Sequence, residues 1–426
     1  MKTILLLPAI AFLLFCACGT EKKTANTIHL NEDTVRLVLQ DLSEGFRTGD
    51  IGRIQKCVAE RFSISVSMGP SSRRYLEPVL KRNPIQNIGF VAIDSLYDDM
   101  ATVKVKVEFT DNKPETESIV AFDGSHKIIF IDYLDRLYGT SRYDVSVQKA
   151  VVPFEFEEGY IVVPLKLNNN SRVLRFLFDT GADGMAVDKA LADSLNLSIT
   201  SSQTAEVVGG RMQIDISSGN TVRLTEDFAL ENQNIAVFNN IGHGLDGIIG
   251  LNLAMNYITN VNFDKRQISL HTYGDYRYEG EGEIVKIKNN YNVTTITGVL
   301  NIVGKEDVTG DFIFDSGANY DLIAFSGFVR KNRLLLTGFK PEEQSSTVSM
   351  GHSTPVFEGK AHRFAFSPNL VFSNIPITLQ ASTSRNDDEK TPSGSIGINL
   401  IRNFNFTINL LEKEIFFSAA AKAEDE

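Results

Sequence analysis

The chain has 426 residues, enough for roughly three domains at about 150 residues each. An apolar share of 42% with 22% charged residues is that of a globular protein able to bury sizeable cores. A formal net charge of -11, with no Lys/Arg-rich block or basic stripe, argues against nucleic acid as a partner and otherwise favours solubility.

Met1-Lys2 gives a positive start, and Ile4 to Phe15 is an apolar run too short to span a membrane comfortably. It leads into Leu14-Phe15-Cys16-Ala17-Cys18-Gly19, where small residues precede Cys18. These residues resemble a bacterial lipoprotein signal. The resemblance implies a signal peptide over 1–17, lipidation of Cys18 and a polar tether over 18–29. Phe15 is unusual three places before the cysteine, Cys16 competes for the modification, and an ordinary signal peptide cleaved nearby is the alternative. More than one acyl chain is needed for a stable membrane anchor. The implied location is the bacterial cell envelope, with Gly19 compatible with outer-membrane sorting, facing the periplasm or the surface. No later segment approaches a transmembrane run. Cys57 is the third cysteine; with Cys18 lipidated, the mature chain has no internal disulfide, and Cys57 reads as a buried, inert thiol.

Residues 30–148 read as a small α+β domain. Val35, Val38, Leu39, Leu42 and Phe46 recur at helical spacing after Asn31-Glu32-Asp33, which can cap a helix start. Gly49-Asp50 breaks the pattern, and Ile51, Ile54, Cys57 and Val58 resume it. A further short helix is expected over Arg73 to Lys81, then strands over Ile85 to Leu96, Met100 to Thr110, Glu117 to Phe122 and Lys127 to Leu137. Val103, Val105, Val107 and Phe109 alternate onto one face. Helices followed by an antiparallel sheet form an α+β layer arrangement. The run Phe46-Arg47-Thr48-Gly49-Asp50-Ile51 and the Lys127-Ile128-Ile129-Phe130-Ile131-Asp132-Tyr133 strand resemble the NTF2-like cone fold, a family of both enzymes and binding modules that by itself implies no activity.

From residue 150 the chain is β-rich and repeats itself. The first copy holds Phe176-Leu177-Phe178-Asp179-Thr180-Gly181-Ala182, then Asp246-Gly247-Ile248-Ile249-Gly250-Leu251-Asn252-Leu253, and closes on Val261 to Leu270. The second holds Phe312-Ile313-Phe314-Asp315-Ser316-Gly317-Ala318, then Ser393-Gly394-Ser395-Ile396-Gly397-Ile398-Asn399-Leu400, and closes on Ile408 to Phe417. The copies are offset by 136 residues at the aspartates (179 to 315) and by 147 at the later glycines (250 to 397), so the second is longer between landmarks, through the loop Thr383 to Pro392. Tyr273 to Glu283, rich in Gly, Tyr and acidic residues, reads as the linker between a first lobe over 150–275 and a second over 284–418, with a polar tail over 419–426.

An apolar strand running into Asp-Thr/Ser-Gly has a chemical logic. The strand fixes the aspartate, the glycine permits a tight turn with close backbone approach, and the hydroxyl residue can bond across to its counterpart. Two carboxylates brought together share one proton, so that one can act as general base on water while the other protonates a carbonyl. The tripeptide alone turns up about once in five chains of this length and is usually a plain turn. Its duplication, each time after Phe-x-Phe, before Ala and ahead of a matching Gly-x-Asn-Leu element, makes coincidence implausible.

These residues resemble the retropepsin-like and pepsin-like aspartic proteases over residues 150–418. The resemblance implies a mainly β, two-lobed pseudo-twofold acid protease fold following the small α+β domain. Asp179 and Asp315 are then the catalytic pair, supported by Thr180, Gly181, Ser316 and Gly317. Both halves stand in one chain, which implies a monomer with an internal pseudo-dimer. Ile248-Ile249-Gly250 and Ser395-Ile396-Gly397 fit the apolar segment behind each turn, although Ser395 departs from the apolar pattern. The family's flap falls at Val207-Val208-Gly209-Gly210-Arg211-Met212 in the first lobe, with Ser349-Met350-Gly351-His352-Ser353 at the corresponding place in the second; a plain surface turn is the other reading of both.

No metal site or cofactor is expected: the six histidines are scattered, no His-x-x-x-His or Cys pairing occurs, and no Gly-x-Ser-x-Gly or phosphate loop appears. The reading is an envelope-anchored aspartic endopeptidase acting on a peptide or protein through a mainly apolar cleft. Two alternatives stay open: a non-catalytic lipoprotein binding peptides or envelope components on the same fold, and a ligand-binding N-terminal domain with the lobes as support.

Overall fold

A computed structural model describes residues 28–421 apart from 69, 83–84, 98, 112, 208–209, 242–243, 289–292, 350–351 and 382–390. The lipoprotein signal, Cys18 and most of the tether therefore lie outside the described residues, as do Gly209 and Gly351. The chain divides into two compact units: residues up to Phe62 with Arg73–Ile131, and Ser63–Ser72 with everything from Asp132 onward. Residues 132–148 thus go with the second unit.

In the first unit, helix α1 (Glu32–Thr48) buries Val35, Leu39, Leu42 and Phe46 of the residues at helical spacing, while Val38 is half-buried. The Asn31 side chain caps its start by accepting from the Thr34 N–H at 2.9 Å, and Gly49, at φ 71°, ends it in the left-handed region where glycine is favoured. Asp50 then caps α2 (Ile51–Cys57), accepting from Arg53 N–H at 3.0 Å. Cys57 is buried on α2 and carries a free thiol. Beyond the short strands β1 (Ser63–Ile64) and β2 (Ser67–Met68) of the second unit comes α3 (Pro70–Arg82), and after it an antiparallel sheet: β3 (Ile85–Leu96), β4 (Ala101–Phe109), β5 (Thr116–Phe122) and β6 (Ile128–Ile131), paired in that order. Val103, Val105, Val107 and Phe109 of β4 are buried while Lys104 is exposed, the alternation of a half-buried strand. Helix α1 packs on β3, and the Ser43 hydroxyl ties them by accepting from Ile88 N–H at 2.8 Å.

The strand expected over Lys127 to Leu137 is a correction. It stops at Ile131, and Asp132–Leu137 is a helix, α4. Asp132 and Asp135 sit in its first turn, where carboxylates match the helix dipole, and Leu134 is the buried apolar residue. Asp135 is fully buried; it accepts from Arg142 Nε and from Ser65 N–H, each at 2.6 Å, and so fastens the β1–β2 hairpin to α4. Arg142 also reaches the Ser63 hydroxyl at 3.3 Å.

The rest of the second unit is two copies of one topology. After β7 (Gln148–Pro153), lobe 1 runs β8 (Glu155–Glu157), β9 (Tyr160–Leu167), β10 (Leu174–Phe178), β11 (Met185–Asp188), α5 (Lys189–Ser194), β12 (Ile199–Val207), β13 (Gly210–Arg223), β14 (Ala229–Phe238), β15 (Gly247–Ile249) and α6 (Asn252–Asn256). Strands β16 (Ile258–Asn262) and β17 (Gln267–His271) close it. Lobe 2 runs β18 (Glu283–Lys288), β19 (Thr295–Asn301), β20 (Asp307–Phe314), β21 (Leu322–Ala324), α7 (Ser326–Lys331), β22 (Glu343–Ser349), β23 (His352–Ala365), β24 (Val371–Gln380), β25 (Gly394–Ile396) and α8 (Ile398–Ile401), and is closed by β26 (Phe404–Asn409) and β27 (Glu414–Ala419).

The spatial order in lobe 1 is β12-β13-β14-β11-β15-β10-β9-β8, and in lobe 2 β22-β23-β24-β21-β25-β20-β19. In each lobe the strand carrying the aspartate pairs in parallel with the short strand before the later glycine: Leu177 faces Ile248, and Ile313 faces Ser395. The lobes are joined through β16 and β26, antiparallel with Asn260 opposite Thr407, so that β7, β17, β16, β26, β27 and β18 are consecutive in one sheet. That seam is cross-linked by Asn260 Nδ2 to Thr407 Oγ1 at 2.8 Å and by Phe263 N–H to Asn405 Oδ1 at 2.7 Å. Phe176, Phe178, Phe312 and Phe314 sit in one continuous core, where Phe314 meets Phe406 of the seam edge-on at 5.0 Å.

Candidate active site

Strand alternation decides what faces the site. In β10, Phe176 and Phe178 go to the main core, while Leu177 joins a separate apolar cluster with Ala186, Ile248 and Ile214 of the long hairpin strand β13. The chain then leaves β10 at Asp179 and β20 at Asp315, and the two ends meet. Each turn is held from behind by the parallel neighbour: Asp179 N–H donates to Ile249 O, and Asp315 N–H to Ile396 O, both at 3.0 Å. Gly250 and Gly397 let that neighbour pass close, since a Cβ at Gly250 would lie 2.4 Å from Ala182 O and one at Gly397 2.1 Å from Tyr320 O.

The hydroxyl residues brace the turns across the lobes. Thr180 Oγ1 donates to Phe314 O at 2.6 Å and accepts from Ser316 N–H at 2.9 Å. Ser316 Oγ returns the arrangement, donating to Phe178 O at 2.8 Å and accepting from Thr180 N–H at 3.1 Å. Both side chains are fully buried, so these bonds are out of reach of competing water.

The glycines explain the next position. A Cβ on Gly181 would stand 2.7 Å from the Asp315 carboxyl carbon, and one on Gly317 2.3 Å from that of Asp179. Each carboxyl therefore lies over the glycine of the opposite turn. Each is also aimed by its own turn: Gly181 N–H donates to Asp179 Oδ1 at 2.8 Å and Gly317 N–H to Asp315 Oδ1 at 3.1 Å. The two carboxyls are within hydrogen-bonding reach of each other. Burial, reinforced by the Asp179 charge and the bond between them, pushes Asp315 well above the usual carboxylate range. Such a pair releases its protons in two steps that belong to the pair, and between them it holds one proton and one charge.

The structure thus brings together Asp179, Thr180, Gly181, Asp315, Ser316 and Gly317. Of the flap residues, Gly210 opens β13, which pairs with β12 as far as Val207 opposite Gly210; in lobe 2, β22 and β23 pair as far as Ser349 opposite His352. Long hairpins therefore occupy corresponding places in both lobes.

Three residues in and beside the site make contacts that were not expected from sequence, although Ser395 was placed in the segment behind the second turn. Ser395 donates to Asp315 Oδ2 at 3.3 Å, and Tyr320 interacts with Ser395 and with the charges of both aspartates. Asn319 Nδ2 donates to Glu158 O at 2.9 Å, linking the second turn to lobe 1. The signal for Ser395 was its polarity at an otherwise apolar position; Tyr320 and Asn319 left none.

Two lobes of one topology, each delivering an aspartate-bearing turn to a shared centre, define an aspartic protease-like fold. The Aspartyl protease family model matches residues 163–253, which take in most of β9, the Asp179 turn and the Ile248-Ile249-Gly250 segment. Among solved structures the chain is similar to the aspartic proteinase from Irpex lacteus, at 12% identity and a TM-score of 0.44, over 66% of this chain and 100% of that one. No curated protein matches the chain.

Proposed function

We propose that the chain is an aspartic endopeptidase that hydrolyses peptide bonds with water activated between Asp179 and Asp315. The observation that carries this reading is the crossed dyad: each carboxyl packed over the other lobe's glycine, with Asp315 driven towards its protonated form by burial and by Asp179. A pair sharing one proton holds a general base and a general acid side by side. The ionised carboxylate takes a proton from a water bound between the two. That water's oxygen attacks the peptide carbonyl carbon while the protonated carboxyl donates to the carbonyl oxygen. On collapse of the resulting gem-diol one of its hydroxyls returns a proton to the dyad, the C–N bond breaks, the amine nitrogen takes up a proton from the dyad, and the singly protonated pair is restored.

The substrate is an extended peptide lying as a strand beside the dyad, under the β12–β13 and β22–β23 hairpins, with side chains read alternately. The same reading places the enzyme in the bacterial cell envelope on a lipid at Cys18, as a single chain, with an NTF2-like N-terminal domain; the three helices ahead of a four-stranded antiparallel sheet support the last point.

The test is cleavage of a diverse peptide library from pH 3 to 8 by the wild type, Asp179→Asn and Asp315→Asn. Loss of cleavage in both variants supports the dyad. Cleavage that survives in either one points to another site, and a wild type that cleaves nothing returns weight to a peptide-binding protein.

A further inference from the structure

The two turns match closely until the residue that faces each aspartate strand in parallel register. In lobe 1 that residue is Ile248, opposite Leu177; in lobe 2 it is Ser395, opposite Ile313. A second difference lies five residues past each aspartate, where lobe 1 has Gly184 and lobe 2 has Tyr320. Ala182 and Ala318, directly after the turn glycines, offer no hydroxyl on either side. The polar groups added to the dyad by these positions therefore all come from lobe 2.

Their direction follows from donor counting. Ser395 is buried and has a single hydroxyl proton to donate; its Oγ lies 3.3 Å from Asp315 Oδ2 and 3.5 Å from Ile313 O. A serine that donates to the carboxylate can only accept from the phenol beside it. Burial, and then the charge of Asp315, hold the Tyr320 phenol well above its ordinary pKa, so it keeps its proton and remains a donor.

We propose that Tyr320 and Ser395 form a one-sided relay, phenol to serine to Asp315, that makes the two carboxyls inequivalent and sets the pH at which the dyad becomes singly ionised. They are positioning residues acting through Asp315, and the inference rests on the endopeptidase reading above. The relay stabilises the charged dyad, so its removal raises the dyad's first ionisation.

The experiment uses the full chain as wild type, Ser395→Ala, Ser395→Thr and Tyr320→Phe. Two readouts are taken: the pH profile of kcat/KM on a peptide that the wild type cleaves, and the infrared titration of the protonated-carboxyl band that disappears in Asp315→Asn. Since a hydrogen bond to a charged group is worth more than a neutral one, Ser395→Ala should move the acid limb and the infrared midpoint upwards by about half a unit to one unit. Tyr320→Phe should move them the same way by less, and Ser395→Thr, which keeps the hydroxyl, should restore the wild-type values. A Ser395→Ala protein slower at every pH with both midpoints unmoved overturns the relay and leaves the endopeptidase reading standing. A wild type that cleaves nothing, with an infrared midpoint that still shifts in Ser395→Ala, sinks the endopeptidase reading and keeps the relay. If Ser395→Ala does not fold, Tyr320→Phe decides alone, since it removes one oxygen from a half-buried ring: an unmoved midpoint overturns the proposal.

Discussion

Thr180→Val tests whether the cross-lobe brace holds the site together. Valine keeps the shape of threonine at a fully buried position and deletes only the hydroxyl. Two backbone groups then lose their partner: Phe314 O, which had accepted at 2.6 Å, and Ser316 N–H, which had donated at 2.9 Å. An unsatisfied buried polar group costs about 1–3 kcal/mol, so the substitution should destabilise the second unit by about 4 kcal/mol. Thr180→Ser keeps both bonds and loses one methyl, for about 1 kcal/mol. The chain has no tryptophan, so the assay is urea unfolding followed by circular dichroism, with the change expected in the transition of the second unit at unaltered m. Adding Ser316→Ala to Thr180→Val should cost less than the sum of the two, since both act on the same pair of turns. A Thr180→Val protein within about 1 kcal/mol of Thr180→Ser would refute this reasoning, because the hydroxyl would then contribute little beyond its volume.

Gly317→Ala should abolish cleavage while the chain still folds, because its Cβ would stand 2.3 Å from the Asp179 carboxyl carbon and push the pair apart; peptide hydrolysis and circular dichroism check the two halves of the statement. Asp179→Asn should raise the melting temperature at pH 7 by roughly 3–6 °C and change it little at pH 3. The sign follows from Asp315: a carboxyl whose folded pKa is raised contributes stability at low pH and loses it as pH rises; burial is the main cause and stays, while the asparagine removes the Asp179 repulsion that adds to it. Asp135, whose burial raises it to about 6 despite Arg142, behaves likewise. Its contribution should be greater at pH 4 than at pH 7 by up to about 3 kcal/mol, falling as pH rises through 6, and Asp135→Asn should flatten that dependence. The same variant takes from the buried Arg142 guanidinium its close carboxylate partner, leaving Glu412 at 4.0 Å, which should cost up to about 3–5 kcal/mol at pH 7 by denaturant titration.

The parts legible in the sequence were those whose constraint is local. The α1 stripe of Val35, Leu39, Leu42 and Phe46, the Asn31 cap and the Gly49 stop are read within one helix, and the alternation of β4 within one strand. The duplicated turns at Asp179 and Asp315 were legible for a different reason: close approach of two carboxyls demands glycine, a hydroxyl and an apolar strand in a fixed order, twice. Contacts set by distant pairing were not legible. Nothing near Asn260 announces Thr407 as its partner; the segment Ser395-Ile396-Gly397 was expected behind the second turn, but nothing announced that the Ser395 hydroxyl would reach the Asp315 carboxyl. The helix at Asp132–Leu137 was hidden by the β-branched run before it, whose strand signal outweighed the two acidic residues that open the helix.

The crossed bracing of the two turns has a temporal meaning. Thr180 relies on Phe314 and Ser316, and the second turn relies in turn on Gly394–Ile396, far downstream of the first. While only the first lobe has left the ribosome, Asp179 has neither an opposing carboxyl nor the groups that steady its loop. The paired carboxyls therefore come together only once Gly394–Ile396 has been made, so the order of the two lobes delays assembly of the centre until the second is in place.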